Sequence, residues 1–203
     1  MKIDPANLDF REAHHLLAGA VTPRPILLIS TIGEDGVFNV APFSFAAPVS
    51  VMPPLIGIEF STRRDGRKKD TLLNIEVSKE FVVNVVVEDL AEAMNRSSAD
   101  FPRNVDEFKE AGLTPVPATL VKAPMVKEAP IHLECRLLQN LEFGRAPHLS
   151  NFIIGEVLVA HVPDGLWVDG DLRSLGLKVL GRMGSDSYIR TTGTIALDQP
   201  SGL

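Results

Sequence analysis

A single cysteine, Cys135, stands among 203 residues, so no disulfide can form within the chain. Its setting, IHLECRLL, alternates Ile131, Leu133, Cys135 and Leu137 with polar residues. That pattern predicts a small buried hydrophobe in a strand rather than a reactive thiol. Aromatic residues are also scarce, at 6% with one Trp and one Tyr. The formal net charge is -6, whereas nucleic-acid phosphates select broad basic faces backed by aromatic platforms. No nucleic-acid partner is expected. No apolar run reaches the roughly 18 residues of a membrane-spanning helix. The first residues, MKIDPANLDFREAHH, carry acids and no apolar stretch, so neither a membrane segment nor a secretion signal is expected. With one cysteine, the expected location is cytoplasmic.

Several chemistries lack their sequence signature. There is no GxGxxG between a strand and a helix, no GxxxxGK[ST], no GxSxG and no HExxH. The histidines are His14, His15, His132, His148 and His161. Only His14 and His15 lie close in sequence, and helix neighbours point about 100° apart, a poor chelate. No metal is expected.

What is present is a chain with 45% hydrophobic residues, enough for the core of one domain over residues 1–203. PILLISTI, residues 25–32, reads as a strand, GEDG as a turn, and VFNVAPFSFAAPVS as returning extended chain. Pro42 and Pro48 predict an edge, bulge or bend in that second arm. PLIGIEFS is a third strand. DTLLNIEVSKE reads as a helix capped by Asp70 or Thr71, and FVVNVVV as a buried strand. EDLAEAMNRSS and VDEFKEAG are short helices, the second closed by Gly112. TPVPATLVKAP is an extended connector. IHLECRLLQNLEF and SNFIIGEVLVAHV are two long strands. From Gly165 one strand and one turn of helix are expected before a loose end at LDQPSGL. Strands dominate and helices do not alternate with them, which favours an antiparallel barrel with inserted helices over a doubly wound parallel sheet.

Two stretches stand out. RRDGRKKDT, residues 63–71, gathers five cations in an acidic chain directly before a helix. Unpaired N–H groups and the positive end of the helix dipole make such a place receptive to phosphate. A solvated turn with scattered Lys and Arg is the plain alternative. NVAPFSFAAPVS is polar for a core strand, and its prolines would leave backbone groups to meet the rim of a planar heterocycle such as flavin.

PRPILLIST, NVAPFSF, RKKDTLLNI, EFVVNVV, LAEAMNRSSADFPRNVDEFKEAGLTPVP, IHLECRL and a later GEV follow one order. In that order and spacing the chain resembles the flavin reductase-like, FMN-binding split-barrel family, over about residues 20–190. The resemblance implies a split β-barrel homodimer holding FMN near the dimer interface. It places Ser44, Phe45, Ala46, Ala47 and Ser50 along the isoalloxazine. The phosphate falls to the segment from Ser61 to Thr71, with Arg63 or Arg64, Lys69 and Thr71 holding it and Asp70 capping the helix or orienting a cation. Arg182 and Tyr188, in GRMGSDSY, close over the flavin or its substrate, and Asn95 approaches the partner's flavin. Ala46-Ala47 departs from relatives that carry bulkier or amide residues there. The surplus cations meet a second phosphate, as in NADP or FAD, or stay solvated. The implied activity is NAD(P)H:flavin reduction, with hydride passing from nicotinamide to flavin and the reduced flavin serving an oxygenase partner or passing electrons on while bound. Because the cofactor carries that chemistry, no catalytic acid or base is assigned. The other reading is an FMN-binding electron carrier or flavin store without NAD(P)H activity.

Overall fold

A computed structural model describes residues 1–63, 65–191, 193–195 and 197. The chain begins with a 3-10 turn, Pro5–Asn7, and helix α1 (Phe10–Ala20). Asp9 and Glu12 form a reciprocal capping box that fixes where α1 starts. Next come β1 (Arg24–Pro25), β2 (Leu27–Ile32), β3 (Phe38–Phe43), β4 (Ala46–Val51), β5 (Pro54–Ser61), α2 (Asp70–Ser78) and β6 (Glu80–Val85). A 3-10 turn at Glu88–Leu90 leads into α3 (Ala91–Arg96), then α4 (Glu107–Ala111), β7 (Pro115–Val116) and β8 (Met125–Val126). The long strands β9 (His132–Arg145) and β10 (His148–His161) follow. The chain continues through β11 (Trp167–Val168), β12 (Asp171–Leu172), a 3-10 turn at Ser174–Gly176, β13 (Leu180–Arg182) and β14 (Tyr188–Arg190).

Seven strands form one antiparallel sheet in the order β3-β2-β6-β9-β10-β5-β4. Strands β3 and β4 are its two edges, yet only Ser44 and Phe45 separate them in the chain. Three backbone steps reach at most roughly 11 Å. The sheet must therefore curl until its edges nearly meet, and the split of the resulting barrel lies at Ser44–Phe45. The prolines sit as their chemistry demands: Pro42 on edge strand β3, and Pro48 beside a register shift on edge strand β4.

Strand β2 is buried on both faces. Leu27 and Ile29 join one core with Phe43, Ile58, Phe60, Leu72, Ile75, Phe81 and Ile153. Leu28 faces the other, built from Val40, Val86, Leu90, Met94, Phe108 and Leu180. The period-two alternation of a strand thus serves two apolar layers at once, which explains the unbroken run LLI. Cys135 is buried in the first layer, where loss of water raises its thiol pKa and keeps it protonated.

Two expectations are corrected. The N-cap of α2 is Lys69, with no side-chain cap bond, rather than Asp70 or Thr71. Asp70 lies in the first turn, and its carboxylate is already taken by Arg63 and Arg103. The region from Gly165 holds two hairpins, β11–β12 and β13–β14, rather than one strand. The second forms because β13 pairs with β1, placing Arg182 opposite Arg24, a contact no local pattern reveals. The expected loose end, 197–203, lies outside the described residues beyond Leu197.

Candidate functional site

At the barrel's split lies a cavity of about 380 Å³. Phe43, Ser44 and Phe45 bring the link between the two edges to its wall, Glu59 and Ser61 the end of β5, and Met94 and Ser98 the α3 region. Two outer pieces complete it: α1 with His14, His15 and Ala18, and the β13–β14 turn with Arg182, Ser185, Asp186 and Tyr188. The aromatic contacts are ordered. His14 stacks near Phe45 at 5.7 Å between centroids, and the Arg24 guanidinium lies 5.1 Å from the same ring. Aromatic and apolar side chains (Phe43, Phe45, Ile26, Pro42, Met94) stand among convergent polar and charged groups, a mixed wall able to hold a planar, polar organic ligand.

The basic loop divides into two classes. Arg67 is paired with Asp65 at 2.7 Å, Lys68 with Glu76 at 2.6 Å, and Arg63 with Asp70 at 2.6 Å and Asp100 at 3.3 Å. Lys69 makes no ion pair among the described residues and turns inward, its Nζ 5.0 Å from the Phe43 ring centroid. Burial lowers its pKa, which marks a cation short of solvent. Gly66, at φ 82°, makes the loop's reversal with a backbone that side chains avoid.

Lys69, Pro42 and Ser98 are shared with a smaller annex of about 80 Å³ that Arg63, Asp70, Thr71 and Ser97 also line. The annex lies at the start of α2, where backbone N–H groups and the dipole favour an anion. Its inner wall includes Asn39 and Glu107. The Glu107 carboxylate accepts from the Asn39 side-chain amide at 2.6 Å and from the Val40 N–H at 2.9 Å. Burial pushes its pKa up to about 7 against those donors, with the Asp70 charge adding to the rise. Asn39 continues through Thr31 and Asn74 to Arg103 and so back to Asp70.

Arg24, 7% exposed, ties the outer pieces to the split. Its guanidinium donates to the Ala18 and Val21 carbonyls at the end of α1, to the Met183 carbonyl in the β13–β14 turn, and to Ser44 Oγ. Arg182 donates to the Tyr188 hydroxyl and the Ser185 carbonyl.

Of the residues singled out in the sequence, Ser44, Phe45, Ser61, Lys69, Arg182 and Tyr188 line the main cavity. Arg63, Asp70 and Thr71 line the annex beside Lys69. Ala46, Ala47 and Ser50 run along edge strand β4, and Asn95 is exposed on α3, none of them on either wall. Arg64 lies outside the described residues. Sequence reasoning missed Arg24, His14, Glu59 and Glu107. For Glu107 the one available signal was Asn39, a polar residue in a core strand. In the sequence His14 reads only as half of a poor chelate.

The fold and this cavity define a flavin-type split barrel, and comparison with known proteins agrees. The flavin reductase like domain model matches residues 19–176, and the chain belongs to that family. Nitrilotriacetate monooxygenase component B from Bacillus cereus is 31% identical, superposes with TM-score 0.92, and covers 97% of this chain and 98% of its own. The 2-nitrobenzoate 2-nitroreductase of Pseudomonas fluorescens is 30% identical with TM-score 0.89, covering 100% and 98%. A Shewanella frigidimarina protein described as having a split barrel domain shares the fold at 24% identity and TM-score 0.84, covering 98% and 100%. A flavin fits the residues present: the Phe43 and Phe45 rings and serine hydroxyls line the main cavity together with His14, Arg24 and Arg182, and an inward lysine with a helix start stands at its annex. The α1 histidines and Arg182 fall outside residues 19–176, although the two solved relatives at 30–31% identity cover nearly the whole chain.

Proposed function

We propose that the protein is an NAD(P)H-dependent flavin oxidoreductase holding FMN. The observation that carries this reading is that the cavity at the split, walled by the Phe43 and Phe45 rings, shares Lys69, Pro42 and Ser98 with the annex at Thr71, which suits a planar ring system joined to one phosphate. Phe43, Phe45 and Ser44 would hold the ring, and Lys69, Thr71 and the first N–H groups of α2 the phosphate. The bound flavin would supply two-electron chemistry, taking hydride from reduced nicotinamide. The chain's own part is to orient the ring, exclude water from one face and leave the other open to the second reactant. Arg67 and Lys68 are engaged by acids, which supports one phosphate rather than two at this end. Similarity to a monooxygenase component supports delivery of reduced flavin to an oxygenase partner.

The functional unit is proposed to be a homodimer. Val51 and Met52, 89% and 91% exposed at the end of edge strand β4, and Leu138 and Phe143 on β9 offer apolar surface for a second copy. Sedimentation of the flavin-loaded protein should give twice the chain mass; a flavin-loaded monomer would refute this.

The central test is an anaerobic visible spectrum of the FMN-loaded protein before and after NADH and then NADPH. Bleaching of the flavin band is expected. Flavin that binds and stays oxidised would make the protein a carrier or store, and failure to bind flavin would end the reading altogether.

A further inference from the structure

The walls of the main cavity carry more positive charge than one phosphate would balance. Lys69 faces the annex. Arg24 and Arg182 stand elsewhere, held together by the β1–β13 pairing that sets them opposite one another. After burial, the nearby Arg182 charge is the next influence lowering the Arg24 pKa. Arg24 spends its donors on carbonyls and one hydroxyl, and makes no ion pair among the described residues. Arg182 has Asp186 at 3.6 Å, but that carboxylate is fully exposed, so water screens it. Glu59 is the other acid on this wall, and it accepts from the Ser61 and Ser150 hydroxyls. Two guanidiniums side by side with so little compensation are an unfavourable arrangement that an anion between them would relieve. His14 borders the same space. Burial and the neighbouring His15 and Arg24 lower its pKa, so at neutral pH it is an uncharged imidazole able to donate one hydrogen bond.

We propose that Arg24, Arg182 and His14 form an anion subsite for the second reactant of the flavin, binding a carboxylate or phosphate group on that molecule. The inference rests on the flavin reading above and names what the flavin meets. Arg182 keeps N–H groups for direct contact with an oxyanion, and Arg24, most of whose donors are engaged, adds its charge, so the shared chemistry is an oxygen anion. Oxidised flavin has a neutral ring system and leaves the arginine pair unmatched. Arg24 lies within the family-matched residues and His14 and Arg182 beyond them, so the subsite joins the matched core to the outer wall.

The test uses the FMN-loaded full chain, with flavin affinity measured separately by fluorescence quenching. Absorbance shifts of the bound flavin are titrated with benzoate against neutral benzamide, and with ADP against neutral adenosine. At least one anion should bind about tenfold tighter than its neutral counterpart, as expected for a charge-assisted bidentate contact. Preference for benzoate identifies an organic-acid carboxylate as the source, and preference for ADP identifies the diphosphate of a dinucleotide. Arg182→Gln should abolish the discrimination while FMN still binds. His14→Asn should weaken it severalfold, and serves as the readout if the first variant does not fold. Equal binding of anion and neutral partner in the wild type overturns the subsite alone. So does discrimination that survives in the variants. Absence of flavin binding overturns the subsite together with the reading beneath it.

Discussion

Glu107 and Glu134 are both nearly inaccessible to water, at 6% and 0% exposure, yet their ionisation moves in opposite directions. Glu134, on β9, lies away from the cavity. Burial works to raise its pKa, but the N–H groups of Thr119, Leu120 and Val121 and the His161 ring all donate to it, at 2.6 to 3.1 Å, and hold it at about 2. Glu107, against the annex, receives one backbone N–H and one amide, faces the Asp70 charge, and rises to about 7. Burial alone does not decide the charge of a buried acid; the number of donors aimed at it does. Where the fold needs a fastener, the donors are complete. Where the cavity begins, they are fewer, and the acid is left poised near neutrality, as groups at functional sites often are.

The largest effect should come from removing the fastener. Glu134→Ala leaves the buried Val121 N–H and the half-buried Thr119 and Leu120 N–H groups without their acceptor, and should cost about 2 to 3 kcal/mol at pH 7, measured by urea denaturation. The wild type should show the matching pH dependence. Unfolded chain binds the proton near the ordinary value of 4.5 and native chain only near 2, so stability should fall by about 3 kcal/mol as pH drops through that window. A loss under about 1 kcal/mol for Glu134→Ala would mean the loop at 119–121 finds other partners, and the contrast between the two acids would lose one side.

Glu107 should give the opposite slope. Its native pKa lies above 4.5, so between pH 4.5 and 7 the native state holds the proton that the unfolded chain has lost, and stability should decline as pH rises through that range. Glu107→Gln keeps an oxygen for the Asn39 and Val40 donors and cannot ionise. The variant should lack this slope and be about 1 to 2 kcal/mol more stable than wild type at pH 8. A slope unchanged by the substitution would assign it to another group.

The same pair shows what the sequence could convey. The β2–β3 hairpin was legible from GEDG, the β9–β10 pair from its alternation, and the edge strands from Pro42 and Pro48, because each signal lies within one stretch of chain. A barrel was expected from the dominance of strands, but which strands form its edges was not legible, since that follows from the order β2-β6-β9-β10-β5 between β3 and β4. The cavity inherits that limit. Ser44, Phe45, Lys69 and Thr71 belong to the two stretches that stood out, whereas Glu59 and His14, and even Arg24 and Glu107 within family motifs, gain their surroundings from distant segments. Glu107 and Glu110 read alike in VDEFKEAG, and only packing against β3 separates the buried one from its neighbour.

The smallest effect divides two cations that also read alike. Lys69 faces the cavity, and Arg67 lies outside, paired with Asp65 on a side chain 77% exposed. An exposed pair of that kind is worth about 0 to 1 kcal/mol, so Arg67→Ala should leave both stability and FMN affinity nearly unchanged. Lys69→Ala removes a charge that would otherwise contact phosphate away from bulk water, and should weaken FMN binding by about ten- to a hundredfold. Its effect on the apo protein's melting temperature should be slight, because the lysine gives no ion pair to the fold among the described residues. Fluorescence titration of the two variants side by side decides the matter. Equal affinities would remove the annex from the flavin site and leave the loop a solvated turn; a loss confined to Lys69→Ala would fix the direction in which the flavin lies along the split.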